Sequence, residues 1–177
     1  MATTWNLDPA HSEVQFKVKH LMISTVTGYF TEFSSTVEAD NDDFTNARVD
    51  FTAQIASIST GQEMRDNHLK SDDFFNAEAF PTMTFRSTEL AKTSGHHYTL
   101  TGDLTIRNIT KTVTLDVEFG GIMKDPYGNI KAGFEVSSVL NRKEFGLLWN
   151  GITEAGGVVV SDEVKIYANV QYVKQAS

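Results

Sequence analysis

Apolar and polar residues alternate one for one along most of this chain, the period that sends successive side chains to opposite faces of a pleated strand. From Glu13 to His20, Val14, Phe16 and Val18 alternate with Glu13, Gln15, Lys17 and Lys19. Val49, Phe51, Ala53 and Ile55 alternate with Arg48, Asp50, Thr52 and Gln54. The pattern returns in Leu100 to Ile106, in Val113, Leu115, Val117 and Phe119, and from Val164 to Tyr172. With the stretches 27–39, 82–90 and 131–140 the count is about eight strands, divided by turn residues such as Asn41-Asp42-Asp43, Ser94-Gly95 and Asp125-Pro126-Tyr127-Gly128-Asn129.

A helix is expected over Gly61 to Lys70, where Thr60 offers a cap, Glu63 completes a capping box and Met64 and His68 share a face. A shorter turn is expected between Lys143 and Leu148. No linker or repeat divides the chain, so residues 1–177 are expected to form one domain. Long strands with one apolar face hide their edges by closing into a barrel or by pairing two sheets, and twelve Phe in 177 residues favour the barrel. A barrel of roughly eight strands is either filled by its own side chains or hollow enough for one ligand.

Charge and cysteine content narrow the function. The chain carries 15 Lys and Arg against 23 Asp and Glu, a net charge of −8 that argues against nucleic acid as a partner. There is no cysteine, which removes disulfides, thiolate metal sites and thiol nucleophiles. No apolar run is long enough to make a membrane-spanning helix. The segment from Met1 to Pro9 has neither a basic start nor an apolar core of a signal peptide, so a cytoplasmic location is expected, or a periplasmic one if the natural start lies upstream.

Four stretches in order resemble the YceI-like family of lipocalin-like, polyisoprenoid-binding proteins. They are Trp5 to Phe33 with His11-Ser12, His20-Leu21-Met22 and Thr27-Gly28-Tyr29-Phe30; Thr60-Gly61 with Arg65-Asp66-Asn67-His68-Leu69-Lys70-Ser71-Asp72-Asp73-Phe74-Phe75; Gly102 to Lys111; and Asn141-Arg142-Lys143-Glu144-Phe145-Gly146-Leu147. The resemblance implies an all-β, eight-stranded antiparallel lipocalin-like barrel with the helix near its mouth, and an isoprenoid lipid, a quinone tail or polyprenyl phosphate, in an apolar channel. It includes dimeric members, so a homodimer is one assembly to expect. Asn108 stands where relatives usually have Gly, and Asn tolerates the positive φ of a tight turn.

The candidate wall residues follow from the alternation once a channel is accepted. On the strands they are Phe16, Val18, Phe30, Val49, Phe51 and Ile55, then Phe85, Leu104, Ile106, Leu115, Val117, Phe134 and Val136. Near the mouth they are Met64, Leu69 and Phe74 on one side and Phe145, Leu148 and Trp149 on the other. The same residues alone are equally those of a packed core, and one bulge reverses the parity of everything beyond it. Arg65, His68 and Arg142 are candidate headgroup contacts, although Arg65 with Asp66 and Arg142 also read as structural anchors.

The rival functions are a hydrolase acting on an amphiphile through Arg65, Asp66 and His68, and a filled barrel used for protein–protein contact. Asp66 is badly placed to orient His68 two residues away on a helix. His11 and His20 are too far apart on an extended segment to share a metal, and His96 and His97 point to opposite faces, so no metal or other cofactor is expected. Asp8, His11 and Ser12 read as an entry turn rather than as a nucleophile set. Gly120-Gly121 and Gly156-Gly157 lack the context of a phosphate cradle and read as bulges or turns.

Overall fold

The structure, a computed structural model, describes residues 2–150 and 159–175. Eleven strands are hydrogen-bonded into one antiparallel sheet. They are β1 (Thr3–Leu7), β2 (Glu13–His20), β3 (Ser24–Phe30), β4 (Phe33–Ala39), β5 (Arg48–Gln54) and β6 (Ile58–Ser59), then β7 (Thr82–Ser94), β8 (His97–Ile106), β9 (Ile109–Lys124), β10 (Ile130–Asn141) and β11 (Val160–Lys174). One α-helix, α1 (Glu63–Lys70), lies between β6 and β7.

The pairings reduce these eleven segments to a closed barrel of eight staves. One edge of β11 carries β2 along its first part, with Ile166 opposite Phe16, and β1 along its end, with Tyr172 opposite Leu7. β1 and β2 are therefore one stave interrupted by the short 3-10 turn Pro9–His11. β3 and β4 make the next stave, broken at Thr31-Glu32, and β5 and β6 the third, broken by the 3-10 turn Ile55–Ser57. The β1–β11 pairing closes the ring and leaves no free edge along those staves. The alternation foresaw one strand over 27–39, where the chain breaks in two, and did not foresee β1.

Local chemistry explains the connections. Arg107 and Asn108 both have positive φ, 52° and 63°, and form the tight turn between β8 and β9 that the Asn was expected to permit. Gly120 is the extra residue in a register shift between β9 and β10, so the first glycine pair is indeed a bulge, while Gly156-Gly157 lies outside the described residues.

The capping box does not form. The helix starts at Glu63 with Gln62 as its cap and no side-chain capping bond. Thr60 is instead tied to the helix from outside: its N–H and hydroxyl donate to Asp66 Oδ1 at 2.8 and 2.6 Å, and it accepts from Arg65 Nε at 2.7 Å. The expected second turn is a 3-10 turn, Arg142–Phe145, capped by Asn141 and ended by Gly146 at φ 78°.

One end of the barrel is filled. The loop between β4 and β5 turns inward at Phe44, which is fully buried against Trp5, Phe119 and Phe134 with ring centroids 5.1 to 5.3 Å apart. Tyr98 packs on Phe119 and its hydroxyl donates to the Asp43 carbonyl, which locks the loop in place. The opposite end carries α1, the 142–145 turn and the segment leading to Trp149.

Candidate functional site

Above the aromatic plug the barrel is hollow. The cavity has a volume of about 370 Å³, within the range of small-molecule pockets, and its wall is almost entirely apolar. Inward positions of the staves form it: Phe16 and Val18 from β2, Phe30 from β3, Val49 and Phe51 from β5, Phe85 from β7. Leu104 and Ile106 from β8, Leu115 from β9 and Val136 from β10 continue the ring. Leu69, Phe74, Phe145 and Trp149 border it at the mouth, together with Arg65, His68 and Arg142.

Five of the candidate wall residues stand elsewhere. Val117 and Phe134 face inward but at the height of the plug, where Val117 is opposite Tyr98 and Phe134 stacks on Phe119 at 5.1 Å. Ile55 is fully buried in a separate cluster with Phe30, Ala53 and Ile58, because the 3-10 turn carries it off the stave. Met64 and Leu148 point to solvent, 84% and 62% exposed. Sequence reasoning passed over Met83, Leu140 and Leu147, which border the cavity from strand ends and the turn, and Ser35 and Tyr172 at its closed end. Tyr172 continues the inward alternation of β11, so its parity was the signal that could have found it.

Phe16 lies in the wall because of its neighbour. Gly28 is its partner across β2 and β3, and a Cβ there would stand 2.2 Å from Phe16 Cζ. The glycine gives the ring a flat backbone to rest on, which keeps it against the wall instead of across the lumen.

Of the candidate headgroup contacts, Arg142 is a structural clamp. It is 4% exposed, and Nε donates to Ser161 O at 2.9 Å while Nη1 donates to Leu147 O at 2.6 Å and Trp149 O at 2.8 Å. Nη2 reaches Val160 O at 3.3 Å and Asp162 Oδ1 at 3.9 Å. A guanidinium has five N–H groups, and four of them are hydrogen-bonded to main-chain carbonyls here, so the side chain is committed chiefly to holding the mouth together. Burial pushes its pKa down, and Asp162 opposes that.

Arg65 donates Nε and Nη2 to Thr60, at 2.7 and 2.8 Å, and is one of the residues that border the cavity. His68 Nε2 is 2.8 Å from Asp73 Oδ2, and its ring meets Phe74 and Trp149 edge-on at 5.1 and 4.8 Å. Asp66 is turned away to Thr60. Asp66 therefore does not orient His68, whose imidazole is paired with Asp73 instead.

The entry turn is a salt-bridged anchor. Asp8 Oδ2 lies 2.8 Å from both Lys131 Nζ and His11 Nδ1, and the Ser12 hydroxyl donates to Asp8 O at 2.7 Å rather than meeting the imidazole. The hydrogen bond from Lys131 does most to hold the Asp8 carboxyl below its ordinary value; burial works against it. Among the described residues no group of three or more His, Asp or Glu is placed to hold a metal ion.

Comparison with known proteins agrees with this architecture. The model of the YceI-like domain matches residues 5–172. A UPF0312 protein of Staphylococcus aureus strain USA300 is 39% identical over 171 residues, covering 96% of this chain and 97% of its own. A Staphylococcus epidermidis UPF0312 protein is 40% identical over the same length. Among solved structures, Burkholderia cenocepacia BcnA superposes with a TM-score of 0.79 at 27% identity, covering 93% of this chain and 98% of its own. The Campylobacter jejuni YCEI protein gives 0.74 at 33% identity over 89% and 90%. A polyisoprenoid binding domain from Saccharophagus degradans shares the fold, with a TM-score of 0.73 at 13% identity over 97% and 98%.

Proposed function

Because the chain belongs to the YceI-like domain family, we propose that it is a non-enzymatic carrier or store that holds one long apolar lipid of isoprenoid type inside its barrel. The observation that carries this is the cavity itself: about 370 Å³ of apolar space, sealed below by the Phe44 plug and bordered above by α1 and Trp149. Burial of each CH₂ contributes about 0.8 kcal/mol, so each five-carbon unit adds roughly 4 kcal/mol before ordering costs are subtracted. The isoprenoid class is supported by the Saccharophagus degradans neighbour, a polyisoprenoid binding domain of the same fold. An anionic head group would stay at the mouth near Arg65, since among the described residues that border the closed end there is no cation.

Trp149 borders the cavity and reports on its contents. Titrating delipidated protein with a quinone bearing a four-isoprene tail quenches its fluorescence and saturates near one molecule per chain, whereas the tail-less quinone does not saturate. In Phe51→Trp the larger ring fills lumen and uptake falls about tenfold or more while the circular dichroism spectrum is kept. A tail-bearing quinone that binds no better than its head group would overturn the proposal.

A further inference from the structure

The closed end of the cavity holds two polar side chains that a purely apolar container does not need. Ser35 on β4 and Tyr172 on β11 are 7% and 5% exposed, both border the cavity, and their hydroxyl oxygens are 2.8 Å apart. Proton bookkeeping fixes the direction of that bond. Ser35 Oγ lies 2.7 Å from the Asp50 carbonyl, which can only accept, so the serine proton goes there. The proton between the two hydroxyls is therefore that of Tyr172. Both donors are used, and the phenol oxygen retains acceptor capacity that no group among the described residues fills.

The pair is rigidly held. The Tyr172 ring stands edge-on to Phe134 at 6.0 Å, and its strand position is opposite both Leu7 and Ala132. Burial raises its pKa to about 12, so the phenol is neutral at ordinary pH and offers hydrogen bonding without charge. The phenol already has its partner in Ser35, and its spare lone pair is the acceptor that a ligand donor would find in this apolar chamber. A hydroxyl supplies that donor. A carbonyl, ether or ester brings only lone pairs and would have to take the tyrosine proton from Ser35. A phosphate brings charge to a place without a cation, which is unfavourable.

We propose that Ser35 and Tyr172 form an acceptor site at the closed end that selects apolar chains ending in a hydroxyl, as in a prenyl alcohol, phenol or quinol, and seats that group deep with the tail toward the mouth. This rests on the lipid-binding reading above and adds to it a head-group class and an orientation.

The test compares geranylgeraniol with geranylgeranyl methyl ether, chains of equal length that differ in one donor, by displacement of a fluorescent fatty acid from delipidated protein. The unaltered protein is expected to bind the alcohol about tenfold more tightly than the ether. Tyr172→Phe, which deletes only the phenol oxygen, is expected to reduce that ratio to near one while the ether binds as before; Ser35→Ala gives a second variant should the first fail to fold. Equal affinity of the two chains for the unaltered protein would overturn the acceptor site and leave the carrier reading standing. A preference that survives in both variants would place the hydroxyl elsewhere and also overturn it. Binding of neither chain would remove the carrier reading together with the site.

Discussion

At the residue scale, this fold uses charged side chains chiefly as struts. Arg142, quoted from its motif as a headgroup contact as readily as an anchor, is buried and bound to main-chain carbonyls on both sides of the mouth. No feature of its sequence neighbourhood separates the two roles, because the carbonyls it meets come from Leu147, Trp149 and Ser161 and are brought together only by folding. The Asp8–Lys131 pair gives a pH prediction. Asp8 binds its proton more weakly in the folded chain, so its contribution to stability is complete above the ordinary carboxylate value of 3.8 and is lost as the pH falls through its lowered value. Lys131 is raised above its ordinary 10.5, chiefly by the hydrogen bond to Asp8, so its share is present at lower pH and is lost as the pH rises through that raised value. In urea unfolding between about pH 5 and about pH 2, Asp8→Asn is expected to flatten the acid decline in stability. An unchanged decline would mean that other carboxyls carry it.

At the scale of elements, alternation identified the staves and their inward faces but not their breaks or their heights. Phe16 and Val18 were legible because β2 runs unbroken from Glu13 to His20. Val117 and Phe134 were given the correct face and the wrong level. The plug that fills the barrel beside them is Phe44, in a loop whose Asn41-Asp42-Asp43 start reads as an ordinary exposed turn. Ile55 failed for another reason, since it sits where a stave kinks.

The strut that holds the mouth was also missed. Arg107, at the tip of the β8–β9 turn, donates Nη1 to Phe74 O at 2.9 Å and Asp72 O at 3.0 Å, and Nη2 to Asp72 Oδ1 at 3.0 Å. Nη1 also lies 3.3 Å from Gly146 O, so one side chain ties both segments of the mouth to the barrel. Arg107→Ala is expected to cost about 2–3 kcal/mol and to speed amide exchange at residues 72–76 and 146–147 while the strands stay protected. Uniform exchange throughout the barrel would show that the mouth is not held as a separate unit.

At the scale of the whole molecule, the sequence posed the choice between a filled and a hollow barrel, and the structure divides it by height. Aromatic rings from β1, β8, β9, β10 and the 40–47 loop pack the lower end, as in any protein core. The upper lumen keeps about 370 Å³ behind α1. The ring closure and the family were legible in the chain, since the motifs that resemble the family are spread across nearly its whole length and the family model spans residues 5–172. The lumen was not, because its existence depends on which side chains fail to reach the axis, and alternation carries no information on reach.

Native mass spectrometry of the protein purified without detergent, followed by organic extraction and identification of the released molecule, tests the central claim most directly. The account predicts a mass increment near one molecule per chain that is lost on extraction and proves to be an isoprenoid lipid. A chain that emerges empty, and stays empty after incubation with prenyl alcohols, quinones and polyprenyl phosphates, would contradict it.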